Sequence, residues 1–513
     1  MALFYDILAL LQKYWIPCIF VGIFIRLLRN RYKPGVRGIP GPFLASISDL
    51  WLFIHCVQRK SQKDYELHRQ YDTPLLRLAP NTISVGDAEA VRIIYGWKPV
   101  FKKSHLYISQ HQTSQAGEVI HNLSSVMDEE KHAHIRRPVA HAYAMSTVVE
   151  YEPLIDSTFR AFVKQINERF VDPRRECDLS RWLQMYAFDV IGEITFSKRL
   201  GFIDSGEDID RMMYHTGRAM DYIGMVGQIP TVDEWLRIKG FGNILRKIRP
   251  AGNVVMWTMK QIHAHTVHDG VKSPDFLTRF IKAREKYPDI MTDGQLAEYA
   301  NTNVSAGSDT TAIVLRELVY RLLTHEGSYR QFMEELKAVL KARPLDETYD
   351  KPITWTEGNS MVYFQALIKE CLRIHPALGQ LIPRVVPEGG VELCGKFIPA
   401  GTVVGCNAWT VHRDKKFYGE DADEFRPERW LDPDKERVRY MENLSFAFGG
   451  GPRVCIGKNI AMLEITKFIP EFFRRFEVHL VDPNRYRLRP GWLVVQEGLD
   501  VGLQRRDPKS LID

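Results

Sequence analysis

Phe448-Gly449-Gly450-Gly451-Pro452-Arg453-Val454-Cys455-Ile456-Gly457 decides how this chain of 513 residues is read. The run has the form F-x-x-G-x-R-x-C-x-G. Its glycines let the backbone turn tightly and approach a flat group closely. Ile456, Ala461, Met462 and Ile465 follow at helical spacing, which puts Cys455 at a helix start. Amides there point at the sulfur, favour the thiolate and spread its charge. Arg453, two residues upstream, suits a bidentate carboxylate target. A lone cysteine in a turn is more often a buried free thiol, but the surrounding fixed positions favour a metal ligand. Gly451 to Lys458 imitates a phosphate loop; its spacing is one residue too long, and Asn459 stands where Ser or Thr is required.

The motif closely resembles the haem-binding loop of cytochrome P450 monooxygenases. The resemblance implies haem b, with Cys455 as the axial thiolate, Phe448 beside it and Arg453 on a propionate. Thiolate ligation favours O–O cleavage. Two further motifs occur in family order, and the resemblance covers most of residues 36–513.

The first is Ala306-Gly307-Ser308-Asp309-Thr310-Thr311, inside a helical pattern from about Gln295 to Leu323. Small residues mid-helix cost stability but admit a flat cofactor. The Thr310 hydroxyl can bond back to the Ala306 carbonyl and open a local kink. The family match makes Thr310 the oxygen-site hydroxyl and Asp309 its acidic partner. On its own, the run would read as a polar patch on a buried helix.

The second is Glu370-Cys371-Leu372-Arg373, with Glu and Arg on one helix face. His375-Pro376 ends that helix. In the family this pair joins an arginine, here Arg429; Trp430 replaces the usual Phe. Five other E-x-x-R pairs, at Glu66, Glu89, Glu234, Glu436 and Glu471, read as solvated. His132 and Arg136 resemble the W/H-x-x-x-R segment that meets a propionate, and Arg384 matches another such contact. Surface cations are the plain alternative for each. His263, His265 and His268 lack a carboxylate context and read as a solvated face.

Composition narrows the class. The chain is 45% hydrophobic and 26% charged, with a net charge of +6, mild for this length; we expect no nucleic-acid partner. The seven cysteines are scattered without a C-x-x-C pair, which fits a reducing compartment. Residues 1–35 read as a membrane anchor with a basic flank. Tyr14 to Ile25 is unbroken and apolar, and Arg26, Arg29, Arg31, Lys33 and Arg37 follow. That order favours an uncleaved span with its C-terminal side in the cytosol. A cleaved signal would carry its positive charge before the apolar run.

The rest, residues 36–513, reads as one mostly α domain with small β-sheets. Strands are expected at Leu75–Leu78, Thr82–Val85, Val391–Leu393 and Val403–Cys406. Residues 223–248 mix apolar and basic side chains and read either as a membrane-surface segment or as an ordinary connection.

The resemblance implies a monooxygenase that inserts one oxygen atom from O2 into a lipophilic small molecule. Electrons come from NADPH through a separate membrane-bound reductase, with cytochrome b5 as a second donor. Lys131, Arg137 and Lys458 could dock an acidic partner. The expected location is the endoplasmic reticulum membrane, single-pass, with the catalytic domain cytosolic. Residues 395–402, 407–409, 425–430 and 456–461 look like the fungal pisatin-demethylase-type group, which implies secondary metabolism. A haem-thiolate isomerase or dehydratase, and a non-catalytic haem-binding membrane protein, stand as alternatives.

Overall fold

The computed structural model describes residues 2–98, 100–113, 119–237, 252–268, 275–344 and 351–511, without the side chains of 2–13, 112–113, 237, 252–254, 265–268 and 508–509. The principal helices are α1 (Ala2–Arg31), α2 (Glu129–Arg136), α3 (Leu179–Phe196), α4 (Met212–Val226), α5 (Asp293–Thr324), α6 (Val362–Ile374) and α7 (Lys458–Arg475). The main sheet holds β1 (Leu75–Ala79), β2 (Thr82–Val85), β3 (Lys102–Lys103), β4 (Arg384–Val385) and β5 (Val403–Gly405). Its order is β1-β2-β5-β4-β3. The mostly helical architecture agrees with the sequence pattern, and the expected strands form within a residue of their predicted ends.

Three helices build the core. Almost every residue of α3 is buried. The helix is capped by Asp178, which accepts the Arg181 N–H at 3.1 Å, and ends at Ser197 in the left-handed region. α5 lies along α3 and also packs on α7. Aromatic rings knit the layers together: Tyr186 of α3 meets Phe468 of α7 at 4.6 Å between centroids, and Phe468 stacks on Phe472. Such pairs add about 0.5–1.5 kcal/mol each beyond their buried area.

Register matters at one edge of the sheet. β3 pairs antiparallel with β4, which sets Lys103 opposite Arg384. Two cations thus share one rung, an arrangement that is unfavourable in itself.

Arg77 of β1 is buried and turns back to the last turn of α1. Its guanidinium donates to the Arg31 carbonyl at 3.1 Å, the Asn30 carbonyl at 2.6 Å and the Pro80 carbonyl at 2.8 Å. Helix-end carbonyls have no partner within their own helix, and a cation there also complements the helix dipole.

The N-terminus departs from expectation. α1 bends at Tyr14 (φ −118°, ψ 16°) and contains Pro17, which removes a backbone donor. Arg26, Arg29 and Arg31 occupy its last turns. Among the described residues no helix is long and apolar enough to cross a membrane. The described part of α1 still exposes Ile16, Phe20 and Phe24. Of the 223–248 segment, residues 223–237 are described. They are largely helical, with Val232 and Trp235 exposed; residues 238–248 lie outside the described part.

A second correction concerns Glu471 and Arg474, read from sequence as a solvated pair. They meet at 2.6 Å with both side chains buried, because α7 is covered on nearly all sides at that point.

Candidate active site

The cysteine loop is fixed by its backbone. The Cys455 N–H donates to the Phe448 carbonyl at 2.8 Å and closes the turn. Gly449 has φ +74° and Gly451 φ +57°. A Cβ on Gly451 would lie 2.3 Å from the Tyr95 carbonyl oxygen and 2.6 Å from that of Gly96, so only glycine fits there. Phe448 lies half-buried beside Lys458, whose ammonium is 5.7 Å from its ring centroid.

The amides of Gly457 and Lys458 hydrogen-bond the Cys455 sulfur at the start of α7. Burial pushes the thiol pKa up; those two N–H groups and the charges of Arg136 and Lys458 oppose it. Solvent nonetheless reaches Cys455. A side chain enclosed by protein yet accessible opens onto an internal cleft. Ala306 is likewise exposed and Thr310 half-exposed, although most of α5 around them is buried.

A cluster of cations surrounds this loop. Arg136 donates to the Val454 carbonyl at 3.0 Å. Arg453 is salt-bridged to Glu129 at 2.8 Å and donates to the Val126 carbonyl at 2.9 Å. Arg384 donates to the Tyr107 hydroxyl at 3.2 Å. Lys103 is buried, donates to the Ser124 carbonyl at 2.5 Å and sits 4.7 Å from the Tyr107 ring centroid. Burial, then the charges of Arg453 and Arg384, hold its pKa well below the ordinary lysine value. His132 is buried among them; burial and the charges of Arg453, Lys103, Arg136 and Arg384 push it down to about 3. It is therefore neutral at physiological pH.

Three guanidinium groups and the Lys103 amine thus share one carboxylate, Glu129, among the described residues. Unbalanced buried charge of this kind is stabilised by an anionic ligand. The donor set fits a haem: an amide-cradled thiol that would ligate iron, and cations in excess that would hold two propionates.

On α5 the hydroxyl geometry is as the sequence suggests. Thr310 Oγ1 donates to the Ala306 carbonyl at 2.9 Å. Ser308 and Thr311 bond back in the same way to Val304 and Gly307. The helix stays continuous through the motif, so the expected kink is not present as a break. Asp309 turns away from the cleft. It is buried against α3, where its Oδ1 accepts from Gln184 Nε2 at 2.6 Å. Gln184 in turn accepts from Arg316 at 3.0 Å. Burial raises the Asp309 pKa, and Gln184 and Arg316 oppose it. Among the described residues no hydrogen bond joins Asp309 to the Thr310 hydroxyl.

Behind the loop, Glu370 of α6 is fully buried. It accepts from Arg373 at 2.8 and 2.7 Å, from Arg429 at 3.0 Å and from Trp430 Nε1 at 2.9 Å. Burial would raise its pKa, but Arg373 and Arg429 outweigh that and hold it below the ordinary value. Trp430 adds the indole donor that a Phe would lack.

Lys103, Glu129 and Gln184 belong to the site without having been singled out from sequence. The only available signal was two adjacent lysines on a short strand. The histidine group offers nothing comparable. His263 is exposed, His265 and His268 have no described side chains, and no set of three metal-ligating residues gathers among the described residues.

The family model for cytochrome P450 matches residues 45–499. A cytochrome P450 monooxygenase of Aspergillus terreus is 40% identical over 493 residues, covering 93% of this chain and 98% of the relative. The monooxygenase cicH of Emericella nidulans is 35% identical over 507 residues, covering 98% and 99%. The monooxygenase mpaDE of Penicillium brevicompactum is 33% identical over 506 residues, covering 96% of this chain and 58% of that longer protein.

Proposed function

Because the chain belongs to the cytochrome P450 family and is a haem-thiolate monooxygenase, we propose that Cys455 would supply the thiolate to the haem and that the cations around it would hold the propionates. The observation that carries this is the amide-cradled Cys455 sulfur beside a cluster of Lys103, Arg136, Arg384 and Arg453 that Glu129 balances only in part. When bound, haem supplies oxygen activation, with electrons that originate from NADPH.

The protein's residues do the rest. Gly457 and Lys458 amides share the sulfur's charge and so tune the ligand. Neutral His132 can donate one N–H without adding charge. The Thr310 hydroxyl, held on the carbonyl of exposed Ala306, orients a proton there. Asp309 supplies protons from behind the helix after leaving Gln184. Glu370, Arg373 and Arg429 hold the loop's support in place.

The family implies a reductase as electron donor; cytochrome b5 as a second donor is a proposal. We assign α1 and its basic flank to a single-pass anchor in the endoplasmic reticulum membrane. The domain of residues 36–513 would then lie on the cytosolic side. The exposed apolar side chains of α1 support this, and exposed Val232 and Trp235 support a second contact with the lipid surface. The substrate is a lipophilic molecule of secondary metabolism. Tyr107, Ile223, Ile313 and Trp492 form the small apolar cluster closest in kind to such a ligand. The pisatin-demethylase-like placement rests on the segments quoted from sequence.

The test is spectroscopic and catalytic. Purified full-length protein should give the carbon-monoxide difference band of thiolate haem, and NADPH plus reductase should oxidise a substrate. Peroxide rearrangement without reductase would instead indicate an isomerase.

A further inference from the structure

His375, the residue that closes α6, is buried. Its Nε2 lies 2.9 Å from the Val494 carbonyl and its Nδ1 3.3 Å from Glu317 Oε2. A carbonyl can only accept, so Nε2 carries the hydrogen. Burial lowers the pKa of the ring, while the Glu317 carboxylate and the Val494 carbonyl favour a second hydrogen on it. Trp409 packs edge-on against the imidazole at 4.9 Å between centroids. Its Nε1 donates to the Pro376 carbonyl at 2.9 Å. These contacts fix the imidazole on three sides.

Both partners lead to the apolar cluster that holds Tyr107, Ile223, Ile313, Trp492 and Leu493. The Val494 N–H donates to the Ala377 carbonyl, and the Gly379 N–H to the Trp492 carbonyl, each at 2.9 Å. Between them Leu378 pairs antiparallel with Leu493. Glu317 lies one turn beyond Ile313 on α5. It also accepts from Arg321 at 2.7 Å, from the Tyr486 hydroxyl at 2.8 Å and from Gln496 at 3.3 Å. Gln496 in turn donates to the Ile313 carbonyl at 3.0 Å. Burial would raise the Glu317 pKa, but His375 and Arg321 outweigh that and hold it down to about 2. One buried ring thereby ties the paired segments 377–379 and 492–494 to α5.

We propose that His375 is a positioning residue for substrate selectivity: held between Glu317 and Val494, it fixes Trp492 relative to Ile313 and so shapes the apolar wall that a lipophilic ligand meets. The assignment rests on the reading of this cluster as the substrate's wall. A buried carbonyl stripped of its donor is costly, so the 492–494 segment relaxes away from α5 when Nε2 is lost.

The test uses full-length, haem-loaded protein and two probes that ligate haem through nitrogen, imidazole and 4-phenylimidazole, each titrated by the Soret shift. The ratio of their Kd values isolates the contact of the phenyl ring with the wall. His375→Phe keeps a ring, and His375→Asn keeps a donor near the Nδ1 position; both lose the donor to Val494. Each should weaken 4-phenylimidazole about tenfold and leave imidazole within twofold. His375→Gln, whose amide reaches the Nε2 position, should restore most of the ratio. A purely structural role would lower the melting temperature without moving the ratio. A ratio within twofold of wild type in His375→Phe or His375→Asn, with the carbon-monoxide band retained, overturns the proposal. So does loss of that band in all three variants, which would make His375 a folding residue. Equal Kd values for the two probes in wild-type protein would instead overturn the assignment of this cluster as the substrate's wall.

Discussion

Glu370 and Arg429, 59 residues apart in sequence, meet at 3.0 Å with both side chains sealed from solvent. The carboxylate also takes both prongs of Arg373 and the indole N–H of Trp430, so its lone pairs are fully used. Removing the carboxylate leaves buried Arg373 without its counter-charge and Arg429 with Asp421 at 3.3 Å, at a cost of about 3–5 kcal/mol. Glu370→Ala should lose most folded, haem-loaded protein, read as the carbon-monoxide band per unit of total protein. Wild-type haem content would refute the structural role.

Thr310→Ala removes the hydroxyl but no helix hydrogen bond, since Thr310 bonds back to a carbonyl of its own helix. NADPH consumption should continue while product per NADPH falls about tenfold or more and hydrogen peroxide rises. Thr310→Ser should retain most of the coupling. Unchanged yield and peroxide in Thr310→Ala would remove Thr310 from the proton route.

Lys103→Met separates haem affinity from protein stability. The lysine's folded pKa lies well below 10.5, so its penalty grows as pH falls from 10.5 toward the folded value. The haem-free variant should melt higher than haem-free wild type at pH 7. Its haem affinity should fall about tenfold, roughly the worth of one charge-assisted hydrogen bond. The two shifts have opposite sign, which a general loss of fold cannot produce.

Glu464 of α7 is buried, and its Oε1 has no hydrogen-bond partner among the described residues. Burial alone raises its pKa well above 4.5. A carboxyl raised in the folded state destabilises increasingly as pH climbs past its unfolded value. Glu464→Gln should therefore raise the melting temperature by a few degrees at pH 7 and make little difference near pH 4. A stabilisation that is the same at both pH values would show that titration is not the cause.

The parts of the site carried by local patterns were legible in the sequence. Cys455 and its turn, Thr310 with its carbonyl four residues back, and the Glu370–Arg373 face each depend on spacing within one element. Partners supplied by distant elements were not legible. Glu129 reaches Arg453 across 324 residues. Gln184 claims Asp309 from a facing helix, and Lys103 enters through strand register. Burial was equally hidden. Glu370–Arg373 and Glu471–Arg474 share one spacing, and E-x-x-R does not say which copies fold inward. The anchor shows the same limit: the apolar run was visible, but the bend at Tyr14 was not.

The guanidinium of Arg77 has a mechanical consequence. By gripping the final carbonyls of α1 from within β1, it removes the swivel that a loose linker would leave between helix and body. A tilt of α1 is passed as torque into the main sheet, and through β5 and β4 to the strand that carries Lys103. Whatever medium holds α1 therefore steers the whole body and sets the direction in which the Cys455 loop faces.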